Sequence, residues 1–287
     1  MDIIIDNLHG GTMIYDCFLF FNELDLLELR LNELDSTVDK FVILESTETF
    51  SKKKKRLYYE ENKDKFLKFK DKIIHVIVDD SPEKSETKTE SENRWTVEHF
   101  QRNCIKRGLQ DCKPEDIILI SDIDEIPRKA SIKTAVEILN DDKKTIVSFR
   151  QRFFYYYLNG LCVDGDLLSP WYGTTACCRY EGFIGAEKMR MTKGRNRNVV
   201  DDAGWHFSYL GGPEKIIYKI ESFSHSEFDN DNIKDKDRIK DRVANGADLF
   251  DRKGRPSQVY TEIDESFPEY LRNNIENFKH LIKEVEE

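Results

Sequence analysis

A chain of 287 residues with 39% hydrophobic content can bury one large α/β core or two small ones, which excludes a disordered polypeptide. Its 55 acidic and 45 basic residues give a formal charge of -10, opposite to the basic excess with which nucleic-acid binders meet phosphate. An anionic ligand must then be held by a local device, either a metal ion or a few placed cations.

No apolar run approaches the roughly 20 residues that cross a bilayer. Residues 1–11 carry only the short run Ile3-Ile4-Ile5, broken by Asp6 and His9, with no basic n-region. A soluble protein with no membrane span and no signal peptide is expected. The six cysteines, Cys17, Cys104, Cys112, Cys162, Cys177 and Cys178, form no C-x-x-C pair, and the sequence has no N-x-S/T acceptor site. Free thiols in the reducing cytoplasm follow. Adjacent Cys177 and Cys178 should alternate across a strand, one in the core and one exposed.

In chain order, residues 13–21 read as a buried strand and 25–34 as a helix carrying Leu26, Leu27, Leu29, Leu31 and Leu34. Residues 41–44 form a second strand, 62–69 a short helix and 72–78 a third strand. This alternation predicts a parallel sheet covered by helices. Residues 79–93 contain no aliphatic side chain and read as a mobile surface loop. Residues 94–110 are helical, with Trp95, Val97, Phe100, Cys104, Ile105 and Leu109 as the apolar stripe, and Pro114 and Asp116 precede a fourth strand at 117–120. Beyond it, 145–158 reads as one long strand with an aromatic patch at 153–157. Further strands are expected at 174–179 and 205–209, and helices at 213–222, 233–245 and 267–285. No repeat or linker is evident, so the chain divides into a domain over 1–255 and a helical extension over 256–287 packed on it.

The strand Ile117-Ile118-Leu119-Ile120 runs straight into Ser121-Asp122-Ile123-Asp124-Glu125-Ile126-Pro127. In open α/β sheets ligands gather at the carboxyl ends of strands. In extended backbone Asp122 and Asp124 point to the same face, where two carboxylates repel unless a cation lies between them. Mg²⁺ or Mn²⁺, completed by substrate phosphates, suits such a pair. The second acidic pair, Asp164-Gly165-Asp166, reads as a polar turn.

Four ordered blocks resemble glycosyltransferase family 17, the family of the β-1,4-mannosyl-glycoprotein 4-β-N-acetylglucosaminyltransferases. They are Phe21-Asn22-Glu23-Leu24-Asp25-Leu26-Leu27-Glu28-Leu29-Arg30, then Phe41-Val42-Ile43-Leu44-Glu45-Ser46-Thr47-Glu48-Thr49-Phe50-Ser51, then 121–127, and Asp202-Ala203-Gly204-Trp205-His206-Phe207-Ser208. Weaker echoes are Gln101-Arg102, Lys219 with Ser224-His225, and 246–251. Where that family tends to carry glycine and prolines, this chain has Lys52-Lys53-Lys54-Lys55-Arg56, either a solvated loop or a clamp for an anionic acceptor or the donor diphosphate.

The resemblance implies a GT-A type nucleotide-sugar-binding fold, with a mostly parallel central sheet flanked by helices and C-terminal helices added. It also implies a UDP-sugar donor, with N-acetylglucosamine as the sugar, and a glycan or glycoprotein acceptor. On this reading Asp124 binds the metal, and Asp122 binds the metal or the ribose. His206 is the candidate third ligand, its imidazole favouring Mn²⁺ over Mg²⁺, with His225 as the competing choice. Phe20, Asn22, Glu45 and Ser46 fall near the uridine, and Arg102 and Lys219 near the phosphates. Inverting transfer needs a general base, for which Asp202 is the first choice and Glu187 the second. Trp171 is the candidate acceptor platform. Two alternatives remain open: a metal-dependent nucleotidyl- or phosphotransferase, and a non-catalytic glycan-binding protein on a degenerate transferase fold.

Overall fold

The computed structural model describes residues 11–165, 167–172, 174–192, 198–254 and 257–285. The first half alternates as expected. β1 (Ile14–Phe20) leads to α1 (Leu24–Leu34), β2 (Lys40–Ser46), α2 (Tyr58–Asn62), β3 (Ile73–Val78), α3 (Glu90–Asn103) and β4 (Ile117–Asp122). β5 (Glu125–Pro127), α4 (Lys129–Asp141), β6 (Val147–Phe149), β7 (Gln151–Tyr155), β8 (Gly160–Asp164), β9 (Leu167–Leu168), β10 (Pro170–Trp171) and β11 (Ala176–Arg179) follow. The chain continues through α5 (Ala186–Arg190), β12 (Asn198–Val200), β13 (Gly204–Ser208), α6 (Gly212–Ser222), α7 (Lys236–Ala244), β14 (Ser257–Tyr260) and α8 (Glu269–Asn273).

Among the described residues the strands form two sheets. The first runs β12-β6-β11-β4-β1-β2-β3, with β4, β1, β2 and β3 mutually parallel and β11 antiparallel to β4. The second runs β14-β8-β7-β13-β5, with β10 added to β7 and β9 to β8. The class is mixed α/β, with a mostly parallel central sheet and flanking helices. β1, β2 and β4 are almost wholly buried, as expected where helices cover both faces of a parallel sheet.

One core packs α1, α4 and Phe267, Leu271, Phe278 and Leu281 of the C-terminal segment against Phe18, Ile43 and Leu119. A second core lies on the opposite face, where Ile105, Leu109 and Met189 meet Cys17, Val42 and Ile118. Cys177 faces the first core and Cys178 the second, so both are buried. The expected exposed partner does not exist, because helices cover both faces of β11.

Other departures have local causes. The segment 79–93 is not loop throughout, because Thr89 and Glu92 form a capping box that starts α3 at Glu90. Helix α4, which the strand and turn pattern passed over, buries Ile132, Ala135, Val136 and Leu139. The strand expected over 145–158 breaks at Arg150, where the chain leaves the first sheet for the second. The C-terminal segment opens with β14 paired to β8, and its helix shortens to separate turns. Residues 255 and 256, at the expected domain boundary, lie outside the described residues, as does Asp166 of the second acidic pair.

Candidate functional site

The Asp122-Ile123-Asp124 turn joins the two sheets. Asp122 closes β4 in the first, and Glu125 opens β5 in the second. Its far side is held from within by Arg30, which is fully buried and ion-paired to buried Asp16 at 2.6 Å. The same guanidinium donates to the carbonyls of Asp122 and Glu125, both at 2.9 Å, and to Ser121 Oγ at 2.5 Å. Opposite, the Phe207 amide donates to the Asp124 carbonyl at 2.8 Å, fixing the turn to β13. Glu125 accepts from Trp171 Nε1 at 2.8 Å, Thr174 Oγ1 at 2.6 Å and Thr175 Oγ1 at 2.9 Å, which ties the segment after β10 to the same turn.

The turn opens into a cleft of about 520 Å³ at the carboxyl ends of β1, β2 and β4, a volume in the range of small-molecule sites. Phe20, Ser46, Arg102, Asp122, Asp124, Glu187, His206, Lys219 and His225 all line it. Asp202, Asn22 and Glu45 do not. Asp202 is half-exposed and ion-paired to Arg152 at 2.7 Å and Arg128 at 3.3 Å, away from the cleft. Glu45 turns beneath the sheet edge, where it accepts from the Tyr59 amide and meets His75 and Lys55. Asn22 borders a small neighbouring pocket shared with Asp25 and Lys215.

The two aspartates are not bridged by one shared ion position; each has its own cations. Asp122 accepts from Arg102 at 2.7 Å and from both terminal nitrogens of Arg190, at 2.7 and 3.1 Å. Burial opposes its charge, but Arg102 and Arg190 outweigh burial and hold the carboxyl at about 2. Asp124 is 6% exposed, with Lys219 Nζ at 2.9 Å from one oxygen and His206 Nε2 at 3.7 Å from the other. Burial again opposes ionisation, and Lys219 and His206 reverse it, keeping Asp124 well below the usual carboxylate range. Burial likewise opposes charge on Lys219, whose ammonium is nonetheless held above its ordinary value by Asp124.

His206 lies 7% exposed between Phe153, stacked at 5.1 Å, and Trp171 at 4.4 Å. Its Nδ1 has no hydrogen-bond partner among the described residues, and its Nε2 faces Asp124. Among the described residues no three His, Cys, Asp or Glu side chains converge on a metal position. Asp124 and His206 nevertheless give one carboxylate oxygen and one imidazole nitrogen side by side. That pair fits a divalent ion whose other positions go to phosphate and water. Asp122, also expected at the metal, has both oxygens bonded to arginines. His225 instead bonds Glu227 through Nδ1 at 2.7 Å and packs on Trp95.

Glu187 faces the cleft but is paired to Arg102 at 3.0 Å, with His99 Nε2 at 3.4 Å. Arg102 also binds Glu98, which accepts from the Ser224 hydroxyl. The basic run proves heterogeneous: Lys54 and Arg56 are exposed, whereas Lys55 is buried at the cleft edge over Phe21 and Tyr58. Burial lowers the Lys55 ammonium pKa, which Glu45 only partly offsets. Sequence reasoning missed Arg190, Arg30 and the bridging role of Glu125. Arg30 had a readable signal, a lone cation between Leu29 and Leu31 on a helix face that must be buried.

Fold and site together define an α/β protein with a cleft at the carboxyl ends of parallel strands, where Arg102, Arg190 and Lys219 pair with an acidic turn. The chain belongs to glycosyltransferase family 17, whose model matches residues 7–283. Similar relatives are the β-1,4-mannosyl-glycoprotein 4-β-N-acetylglucosaminyltransferases of Rattus norvegicus, 25% identical, and Homo sapiens, 26% identical. Each match covers 91% of this chain and 53% of the relative, so the chain spans about half their length. Among solved structures, S. aureus TarS in complex with UDP-GlcNAc aligns with a TM-score of 0.40 and 11% identity, over 82% of this chain and 72% of that one. Francisella tularensis 2-C-methyl-D-erythritol 4-phosphate cytidylyltransferase aligns with a TM-score of 0.37 and 10% identity, over 66% and 90%. No helix among the described residues is long and apolar enough to cross a membrane.

Proposed function

We propose that the cleft binds a UDP-sugar and transfers its sugar, N-acetylglucosamine, to a hydroxyl of a glycan acceptor with inversion. The observation that carries this reading is the Asp122-Ile123-Asp124 turn itself, ringed by Arg102, Arg190 and Lys219 in a family 17 chain. The names of the relatives support the choice of sugar. Uridine occupies the end of the cleft formed by Phe20, Ser46 and Lys55, and the diphosphate faces Arg190 and Lys219. The acceptor lies toward Trp171, whose indole is fixed by Glu125 and stands beside His206.

Asp124 and His206 would hold a divalent ion, which when bound supplies Lewis-acid stabilisation of the departing diphosphate. Arg190 and Lys219 add fixed positive charge where that negative charge develops. As the acceptor oxygen bonds to the anomeric carbon, the bond from that carbon to the diphosphate oxygen breaks and UDP leaves. The hydroxyl proton passes to a carboxylate, and of the two acids expected for this role only Glu187 lines the cleft. Arg102 and His99 orient it.

The test incubates the protein with UDP-GlcNAc and Mn²⁺ and follows UDP release and UDP binding. Asp124→Asn should reduce release at least ~100-fold, as loss of a group acting on developing charge does. Absence of both UDP binding and UDP release for every UDP-sugar tried would refute the proposal, and pyrophosphate release would point to nucleotidyl transfer instead.

A further inference from the structure

The position beside Asp124 that suits a divalent ion already holds a cation of the chain. Lys219 projects from α6 between buried Ile216 and Ile220, and its ammonium sits 2.9 Å from Asp124 Oδ2 and 5.3 Å from the Tyr209 ring centre. His206 approaches the other oxygen of the same carboxylate. A divalent ion on Asp124 and His206 would therefore crowd the ammonium with like charge. We propose that Lys219 and the divalent ion exchange on Asp124: the ammonium holds the carboxylate in the empty protein and moves to the donor diphosphate when the ion arrives. This rests on the metal-assisted reading above.

Three observations support the exchange. Asp124 is nearly inaccessible, so without a resident cation it would be a buried, unpaired charge. Lys219 is better able to move than Arg102 or Arg190, with a flexible stem and a side chain 29% exposed. Arg102, by contrast, is spread over Glu98, Asp122 and Glu187, and Arg190 grips Asp122 with two nitrogens. Without donor, the ion must displace the ammonium toward carboxylates that already have partners, such as Glu23, which accepts from the Phe21 and Asn22 amides. With donor, the diphosphate receives it. Ion and nucleotide therefore strengthen each other's binding, and the coupling is reciprocal.

The experiment measures Mn²⁺ affinity by electron paramagnetic resonance of the free ion, with and without saturating UDP, in the wild type and in Lys219→Met and Lys219→Arg. Wild type should bind Mn²⁺ at least about tenfold more tightly when UDP is present, within the usual range of coupling between sites. Lys219→Met should bind Mn²⁺ more tightly than wild type without UDP and lose most of the UDP-dependent gain. Lys219→Arg, which keeps the competing charge, should resemble wild type without UDP. If Lys219→Met destabilises the protein, Mn²⁺ alone should raise its melting temperature more than it raises that of wild type. Unchanged or weaker UDP-free affinity in Lys219→Met, with Mn²⁺ binding intact in wild type, would overturn the exchange and leave the metal reading standing. Failure of every form to bind Mn²⁺ with or without UDP would overturn both.

Discussion

Replacing Arg30 by methionine tests whether the acidic turn is held in place from the core. Arg30 and Asp16 are both fully buried, and the guanidinium donates to both Asp16 oxygens, at 2.8 and 2.6 Å. It also donates to the backbone of Asp122, Ile123 and Glu125 and to Ser121 Oγ. Arg30→Met leaves Asp16 as an uncompensated buried charge, a loss of about 3–5 kcal/mol. At ~2–4 °C per kcal/mol for a chain of this size, the melting temperature should fall by roughly 6–20 °C. Removing the charge as well, in Asp16→Asn with Arg30→Met, should recover part of that loss, because an unpaired amide costs less to bury than an unpaired carboxylate. Arg30→Lys should fall between, since a point ammonium cannot span a carboxylate and several carbonyls. Urea unfolding gives the stabilities, and calorimetric titration of UDP reports the turn, whose affinity should weaken in all three variants. An Arg30→Met protein within about 1 kcal/mol of wild type, the size of a surface ion pair, would refute the argument. So would a double variant no more stable than the single one.

Asp122, held at about 2 against an ordinary value of 3.8, contributes stability that is complete above about pH 4 and is lost as pH falls toward 2. Arg190→Met should bring the folded-state value of Asp122 closer to its ordinary one, so stability falls above pH 4 and the loss on acidification flattens, seen as a shallower fall in the urea midpoint between pH 5 and 2. Gly204→Ala would place a methyl carbon 2.1 Å from the Ile126 carbonyl oxygen, separating β13 from β5. It should cost at least ~1–3 kcal/mol, as overpacking does, and weaken UDP binding as His206 shifts. Asp202→Asn, outside the cleft, should leave UDP affinity within about twofold while changing stability by ~1 kcal/mol or less. Of the six thiols, only Cys112 is partly exposed, and burial pushes it up to about 11, so native protein should react slowly with a thiol reagent at pH 8 and rapidly once unfolded.

The elements that sequence revealed are those whose signal is local. β1, β2 and β4 are continuous apolar runs, and the turn after β4 follows from where such a strand must end. The Thr89–Glu92 capping box and the Ile132, Ala135, Val136, Leu139 spacing of α4 were also in the sequence, the first masked by the uniform polarity of 79–93 and the second by the strands on either side of it. The break at Arg150 has no local mark, because it arises where one chain segment serves two sheets. Site residues divide in the same way. Asp122, Asp124 and His206 sit on elements that meet by backbone pairing and reach one cleft. Asp202 shares a sequence block with His206, yet it sits in the turn before β13, paired to Arg128 and Arg152 outside the cleft, and Glu45 points away because strand side chains alternate. Arg190, from a five-residue helix, reaches Asp122 only through tertiary packing.

The turn between β4 and β5 has a practical meaning for building chimeras. Because residues 121–125 end one sheet and begin the other, a crossover placed there would take Asp122 from one parent and the surroundings of Asp124 from another. Arg30, Glu125 and Phe207 would then each meet a mismatched half. Productive exchanges between family members should keep β1, α1, the turn and β13 from a single parent, and place their junctions on the exposed segments beyond them.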